Sequence, residues 1–99
     1  MSENNKVVGR AVIANAQGLH MRPISAFTKV AREFNCKIHV RYGEIGADGK
    51  AVMELLSLGA PAGSELVIEA EGDDAAAAVA ALVALVADRF GIGDDETEN

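Results

Sequence analysis

Two stretches of this chain alternate polar and apolar side chains at the two-residue period of a strand with one buried face. In residues 37–42, Ile38, Val40 and Tyr42 point one way, and Lys37, His39 and Arg41 the other. In residues 65–71, Leu66, Ile68 and Ala70 share one side, and Glu65, Glu69 and Glu71 the other. Such strands accept a covering layer on one face only. Every helix of the chain must therefore pack on the same side of the sheet.

The remaining segments fill in that plan. Residues 7–14 read as a strand with Ala11 and Ile13 inward, diluted by Gly9. Residues 15–18 supply turn chemistry. Residues 21–34 read as a helix. At about 100° per residue, Ile24, Phe27, Val30, Ala31 and Phe34 fall on one side, and Arg22, Ser25, Lys29 and Arg32 on the other. Residues 43–49 hold turn residues and a short strand over 44–48. A helix over 51–58 stops at Gly59, and Pro61 and Gly63 mark a loop. Asp73 or Asp74 caps a last helix, whose inner stripe is Val79, Leu82, Val83, Val86 and Phe90 and which Gly91 ends. The order is strand, helix, strand, strand, helix, strand, helix. The expectation is an α+β open-faced sandwich over residues 7–90, between a disordered stretch 1–6 and an acidic disordered tail 91–99.

Size and charge restrict the chemistry. Ninety-nine residues hold one core and no separate cofactor domain. Three Phe, one Tyr and no Trp make that core aliphatic. A net charge of −6 disfavours nucleic acid as a partner. The charge is uneven, however. Residues 1–50 carry a net +4 and residues 51–99 a net −10. An anion is therefore to be sought in the first half. Cys36 has no disulfide partner, which fits a reducing compartment. Residues 1–6 do not resemble a signal peptide. The longest apolar run, residues 75–87, is shorter than the roughly 18–20 needed to span a bilayer. The expectation is a cytoplasmic protein with no membrane insertion.

The informative run is Gly18-Leu19-His20-Met21-Arg22-Pro23. His20 stands where a loop becomes a helix. The first N–H groups of a helix, here those of Met21 and Arg22, lack intrahelical partners and face an anion favourably. Pro23 falls in the first turn, where its missing N–H is harmless. The Arg22 guanidinium is close enough to meet an anion on the imidazole. These features surround a nucleophilic ring with anion-binding groups, as a transferable phosphoryl group requires. The plainer alternative is a histidine that caps a helix or sits on the surface. His39 shares a strand face with Lys37 and Arg41 and reads as a solvated residue. Neither histidine, nor Cys36, has the neighbours at ligand spacing that a metal site needs.

The helix over 51–58 is apolar around most of its circumference. Leu55 and Leu58 lie on one side, and Val52, Met53 and Leu56 on another. One set can cover the sheet. The other forms an exposed patch suited to a partner, and methionine adapts well to that use.

Residues 18–23 resemble the GLHxRP motif of HPr, the histidine-containing phosphocarrier family of the phosphoenolpyruvate-dependent phosphotransferase system. The likeness extends over residues 7–87. It includes 49–59, which resembles the family's GKSxxxLxxLG segment, and the strand that ends in Glu71-Gly72. The resemblance implies a four-stranded antiparallel sheet with three helices on one face. It implies a carrier, without a cofactor, that accepts a phosphoryl group on His20 Nδ1 with Arg22 stabilising it. Enzyme I would be the donor and an enzyme IIA protein or domain the acceptor. Both would dock on the first two helices, through Met21, Ser25, Lys29, Arg32, Val52, Met53 and Leu56. A carrier that serves two partners in turn on one face is expected to be a monomer.

Departures from the family pattern accompany the likeness. Ala51 stands where many members carry a regulatory serine, so control through that hydroxyl is expected to be absent. Met21, Ile24, Ser25 and Glu54 also differ from the common residues. Two other readings share the same motif. One is a carrier in a nitrogen-type regulatory branch with no role in sugar transport. The other is a module that binds an anion without covalent chemistry.

Overall fold

A computed structural model of the chain describes residues 6–92. The strands are β1 (Lys6–Val12), β2 (Lys37–Tyr42), β3 (Ile45–Asp48) and β4 (Glu65–Glu71). The helices are α1 (Met21–Ala31), α2 (Val52–Ser57) and α3 (Ala75–Ala87), followed by a single 3₁₀ turn over Arg89–Gly91. The four strands form one antiparallel sheet in the order β1-β4-β2-β3. The α+β open-faced sandwich expected from the two alternating strands is the fold observed.

The register explains why one face takes the helices. Ile38, Val40, Ala47, Leu66, Ile68 and Ala70 are buried and form the core with Ile24, Phe27 and Ala31 of α1, Leu55 of α2 and Val79, Leu82 and Val86 of α3. The opposite face carries charge that alternates by strand. Lys6 lies 3.6 Å and Arg41 3.3 Å from Glu69, and Arg10 lies 3.8 Å from Glu65. Burial alone would raise the Glu69 carboxyl, but Arg41 and Lys6 outweigh it and hold it below its ordinary value. Val67 shares this outer face yet is buried, with Arg10 and Arg41 on either side of it in the register.

Asp74 sets the direction of α3. It occupies the helix N-cap, as one of the two acids was expected to, but makes no side-chain cap bond. Its carboxylate accepts instead from the backbone N–H groups of Asn35 and Cys36, at 2.9 and 3.1 Å. The start of α3 is thus tied to the chain just past the end of α1. From there α3 crosses β1, where a Cβ on Gly9 would lie 2.6 Å from Val79 and 2.9 Å from Val83. Glycine at this position is what lets helix and strand approach so closely. Thirteen residues give α3 a length of roughly 20 Å. It runs back along α1, and the 3₁₀ turn beyond it lies against α1. The C-terminal end of α3 and the N-terminal end of α1 therefore share one end of the molecule.

Several boundaries differ from the expected ones. The helix expected to reach residue 34 ends at Ala31, because Glu33 and Phe34 donate three residues back rather than four. Val30 and Phe34 are half-buried in consequence, while Thr28 is buried and donates from Oγ1 to the Ser25 carbonyl at 3.2 Å. The last helix stops at Ala87 rather than running to Gly91. Arg89 and Phe90 take left-handed backbone, with φ of 56° and 59°. Phe90 still reaches the core, at 2% exposure. Lys6, expected to be disordered, pairs with Glu71 in the sheet, and Gly91 closes the 3₁₀ turn. The expectations for 1–5 and 93–99 lie outside the described residues.

Candidate functional site

The loop after β1 is fixed by backbone bonds to the loop before β4. Ile13 N–H donates to the Ser64 carbonyl at 2.9 Å, and Gly63 N–H to the Ile13 carbonyl at 2.8 Å. Leu19 N–H donates to the Ala60 carbonyl at 2.9 Å. Inside the loop, the buried Asn15 amide donates to the Gly18 carbonyl at 2.6 Å. Gly18 has φ of +74°, and a Cβ there would sit 2.7 Å from the Ala60 oxygen. No other residue meets both demands without strain. Leu19 is then buried, and the chain turns outward at the next position.

That next position is His20. It is the N-cap of α1, with extended backbone and no side-chain cap bond. The cap reading of His20 is thereby removed, and its carbonyl serves the helix instead by accepting from Ile24 N–H at 3.0 Å. The residue is half-buried. Met21 and Arg22 open the first turn, both exposed, and Pro23 follows, buried. The first turn of α1 contains no acidic residue. The positive end of the helix dipole is therefore not offset by a neighbouring acid, and Arg22 adds positive charge to the same turn.

The basic stripe is exposed along α1, but its members differ in use. Ser25 and Lys29 face solvent. Arg32 lies some 18 Å from His20 by helix rise. Its Nε and Nη2 donate to the Lys50 carbonyl at 3.3 and 3.0 Å. Lys50 Nζ in turn donates to the Phe34 carbonyl at 2.7 Å. Asp48 N–H donates to Glu54 at 2.8 Å, which gives this unusual acid a local partner. These bonds clip the end of α1 to the turn before α2, and Arg32 belongs to that clip.

On α2, Leu55 is buried, and so is Leu58 just beyond the helix. Val52 and Leu56 are half-buried against the core, and Met53 is 72% exposed. Met21 on α1 is 49% exposed. Leu55 and Leu58 take the buried side as the spacing predicts. Of the set expected to form an exposed patch only Met53 is exposed, because Val52 and Leu56 pack partly against the core; α2 lies beside α1. Ala51 is the N-cap of α2, without a side-chain cap bond.

The other reactive side chains lie elsewhere. Cys36 is buried under the Asp74 contact. Burial, then the neighbouring Asp74, pushes its thiol above the ordinary value, so it stays protonated and unreactive. His39 is exposed on the charged sheet face, where its ring lies over Gly46. Among the described residues no helix is long and apolar enough to cross a membrane. Sequence reasoning passed over two residues. Asn15 positions the loop, and only its place in a turn hinted at that. Arg89 reaches the His20 end of the molecule through the direction of α3, for which no local signal exists.

The family model for PTS-HPr, described as the PTS HPr component phosphorylation site, matches residues 8–88. A phosphocarrier protein HPr from Neisseria meningitidis serogroup A is 35% identical over 82 residues, 83% of this chain and 92% of its own length. A multiphosphoryl transfer protein from Xanthomonas campestris is 39% identical over 74 residues, 75% of this chain, and the match spans only 9% of that much longer protein. The crystal structure of HPr-C-His from Thermoanaerobacter tengcongensis superposes with a TM-score of 0.82 at 35% identity, over 86% of this chain and 96% of that one. A second structure from that organism, described as an HPr dimer, gives 0.69 at 38% identity, over 80% and 91%. The matched span takes in both the pinned loop and the helix start that carries His20, and with it the chain belongs to the HPr family, the phosphocarriers of the phosphotransferase system.

Proposed function

We propose that His20 is the residue that carries the phosphoryl group. The observation behind this is its position: a half-buried imidazole at the first turn of α1, presented by a loop that Gly18 locks in place. The imidazole lone pair of Nδ1 attacks the phosphorus of phospho-enzyme I. The bond from phosphorus to the donor breaks as the bond to His20 forms, and an enzyme IIA acceptor later takes the group by the same exchange. Arg22 and the first N–H groups of α1 stabilise the charge on the phosphoryl oxygens. The donor and acceptor supply the rest of the catalytic surroundings.

Both partners dock in turn on α1 and α2, around Met21, Ser25, Lys29 and Met53, with Val52 and Leu56 supporting the patch. Positive charge beside an apolar centre favours acidic partners and fast, short-lived encounters. The carrier works as a cytoplasmic monomer, and sedimentation equilibrium that returns a dimer at working concentration would overturn that part. Incubation with phosphoenolpyruvate and enzyme I is expected to add one acid-labile, base-stable phosphate. His20→Ala should accept none. Acceptance at the native rate by that variant would remove the assignment.

A further inference from the structure

The peptide unit that joins Gly18 to Leu19 is held at both of its polar ends. Its N–H, on Leu19, donates to the Ala60 carbonyl at 2.9 Å. Its carbonyl, on Gly18, accepts from the Asn15 side-chain amide at 2.6 Å. The two holders come from different parts of the chain. Ala60 lies between α2 and β4, and Asn15 follows β1. Asn15 is 1% exposed, and its own carbonyl accepts from Gly18 N–H at 3.2 Å. Residues 15–18 are thus closed on themselves by two bonds.

One residue, Leu19, separates this peptide unit from His20, and Leu19 is buried. On the other side, the His20 carbonyl is committed to α1 through Ile24 N–H. The backbone that presents the imidazole is therefore fixed before and after it. A planar peptide unit turns as one body about the dihedrals that flank it. Bonds at both ends remove that freedom. The Ala60 half of this clamp is a main-chain atom, whereas the Asn15 half is supplied by a side chain. Without the amide, the Gly18 carbonyl would be a buried acceptor with no donor from Asn15. Turning outward to water would satisfy it, and that turn pulls Leu19 N–H from Ala60 and shifts His20.

We infer that Asn15 is a positioning residue for phosphoryl transfer: by clamping the Gly18–Leu19 peptide unit it keeps the His20 imidazole aimed for attack. The effect on transfer rests on the carrier reading given above, whereas the clamp rests on the two hydrogen bonds. Misplacing a reacting atom by about 1 Å can cost about a hundredfold in rate, so loss of half the clamp should lower kcat about tenfold. KM should stay unchanged, because the docking residues on α1 and α2 keep their places.

The test uses the full chain and two variants. Asn15→Leu keeps the size of the side chain and removes the donor, and Asn15→Ala removes both. The rate of enzyme I-dependent phosphorylation is measured against carrier concentration. The His20 ring resonances and the hydrogen exchange of the Leu19 amide are recorded on the unphosphorylated proteins. In both variants kcat is expected to fall about tenfold with KM unchanged. The His20 ring resonances should move and the Leu19 amide should exchange faster, while the resonances of Ser25 and Lys29 stay in place. Native kcat in a variant whose unfolding curve shows it folded would overturn the inference. So would a raised KM with native kcat, since the loop would then act on docking. If neither variant folds, the native chain decides: a Leu19 amide that exchanges as fast as an unstructured one overturns the clamp, and slow exchange upholds it. If the native chain accepts no phosphate while the ring resonances still move in the variants, the clamp stands and the carrier reading falls.

Discussion

The Asp74 carboxylate accepts a hydrogen bond from the backbone N–H of Asn35, 39 positions earlier in the chain, at 2.9 Å. The Asn35 bond is the main reason its carboxyl titrates below the usual range. Burial works against this, and the Cys36 contacts add to it. One side chain thus fixes where α3 begins relative to the end of α1.

That contact makes stability depend on acid. A carboxyl whose folded pKa is depressed contributes fully above its unfolded value of about 4 and loses the contribution as pH falls through the folded value. Asp74→Asn should therefore be less stable than the native chain at pH 7, and the gap should narrow as acid protonates Asp74. Glu69, also depressed, adds acid sensitivity of the same sign. Urea unfolding at pH 7 and near the bottom of this window checks it. A gap that stays constant across the window would refute the role given to Asp74.

Gly18→Ala should cost about 1–3 kcal/mol, because left-handed backbone and a contact with the Ala60 carbonyl both oppose a methyl group. Phosphoryl acceptance should slow as well, since His20 is only two residues on. Denaturant unfolding and the initial rate of phosphorylation give the two numbers.

Arg22 and Arg32 lie on one stripe and should separate in kinetics. Arg22→Ala should slow phosphoryl transfer by on the order of tenfold or more, with little effect on folding. Arg32→Ala should leave the rate unchanged and lower stability by about 1 kcal/mol or less, through its bonds to the Lys50 carbonyl. Equal effects of the two on rate would mean that the whole stripe acts at the site.

Ala51 caps α2 with extended backbone and offers no side-chain acceptor. Ala51→Ser should stabilise the fold by about 0.5–2 kcal/mol, as a hydroxyl at this position bonds the first turn. Thermal unfolding at fixed pH measures it, and no gain would show that the first turn of α2 is already satisfied.

Met53 projects from α2 with little packing to lose. Met53→Glu should weaken enzyme I binding about tenfold while the unfolding curve stays unchanged. Calorimetric titration that finds native affinity would remove α2 from the docking surface.

The fold was legible where a single period governed the residues. Alternation in 37–42 and 65–71 set both strands and the covered face, and α2 declared its buried side through Leu55 and Leu58. Helix ends were less legible, because tertiary contacts decide them. α1 tightens after Ala31 into the segment that Asp74 holds, and Arg89 and Phe90 turn left-handed although neither residue type signals it. The chemistry at His20 could be read from neighbours in sequence. The contacts of Asn15 and Ala60 could not, since the chain brings them to the site only by folding.

The central strand β4 joins β1 to β2, yet it is among the last elements to be synthesised. Before residue 71 leaves the ribosome, β1 has no ladder partner and the β2–β3 hairpin stands alone. An isolated hairpin is marginal in water. Folding of this domain is consequently late and all-or-none, with its sheet closed by contacts that are distant in sequence. A chain terminated early would be left without a stable fragment and exposed to proteolysis.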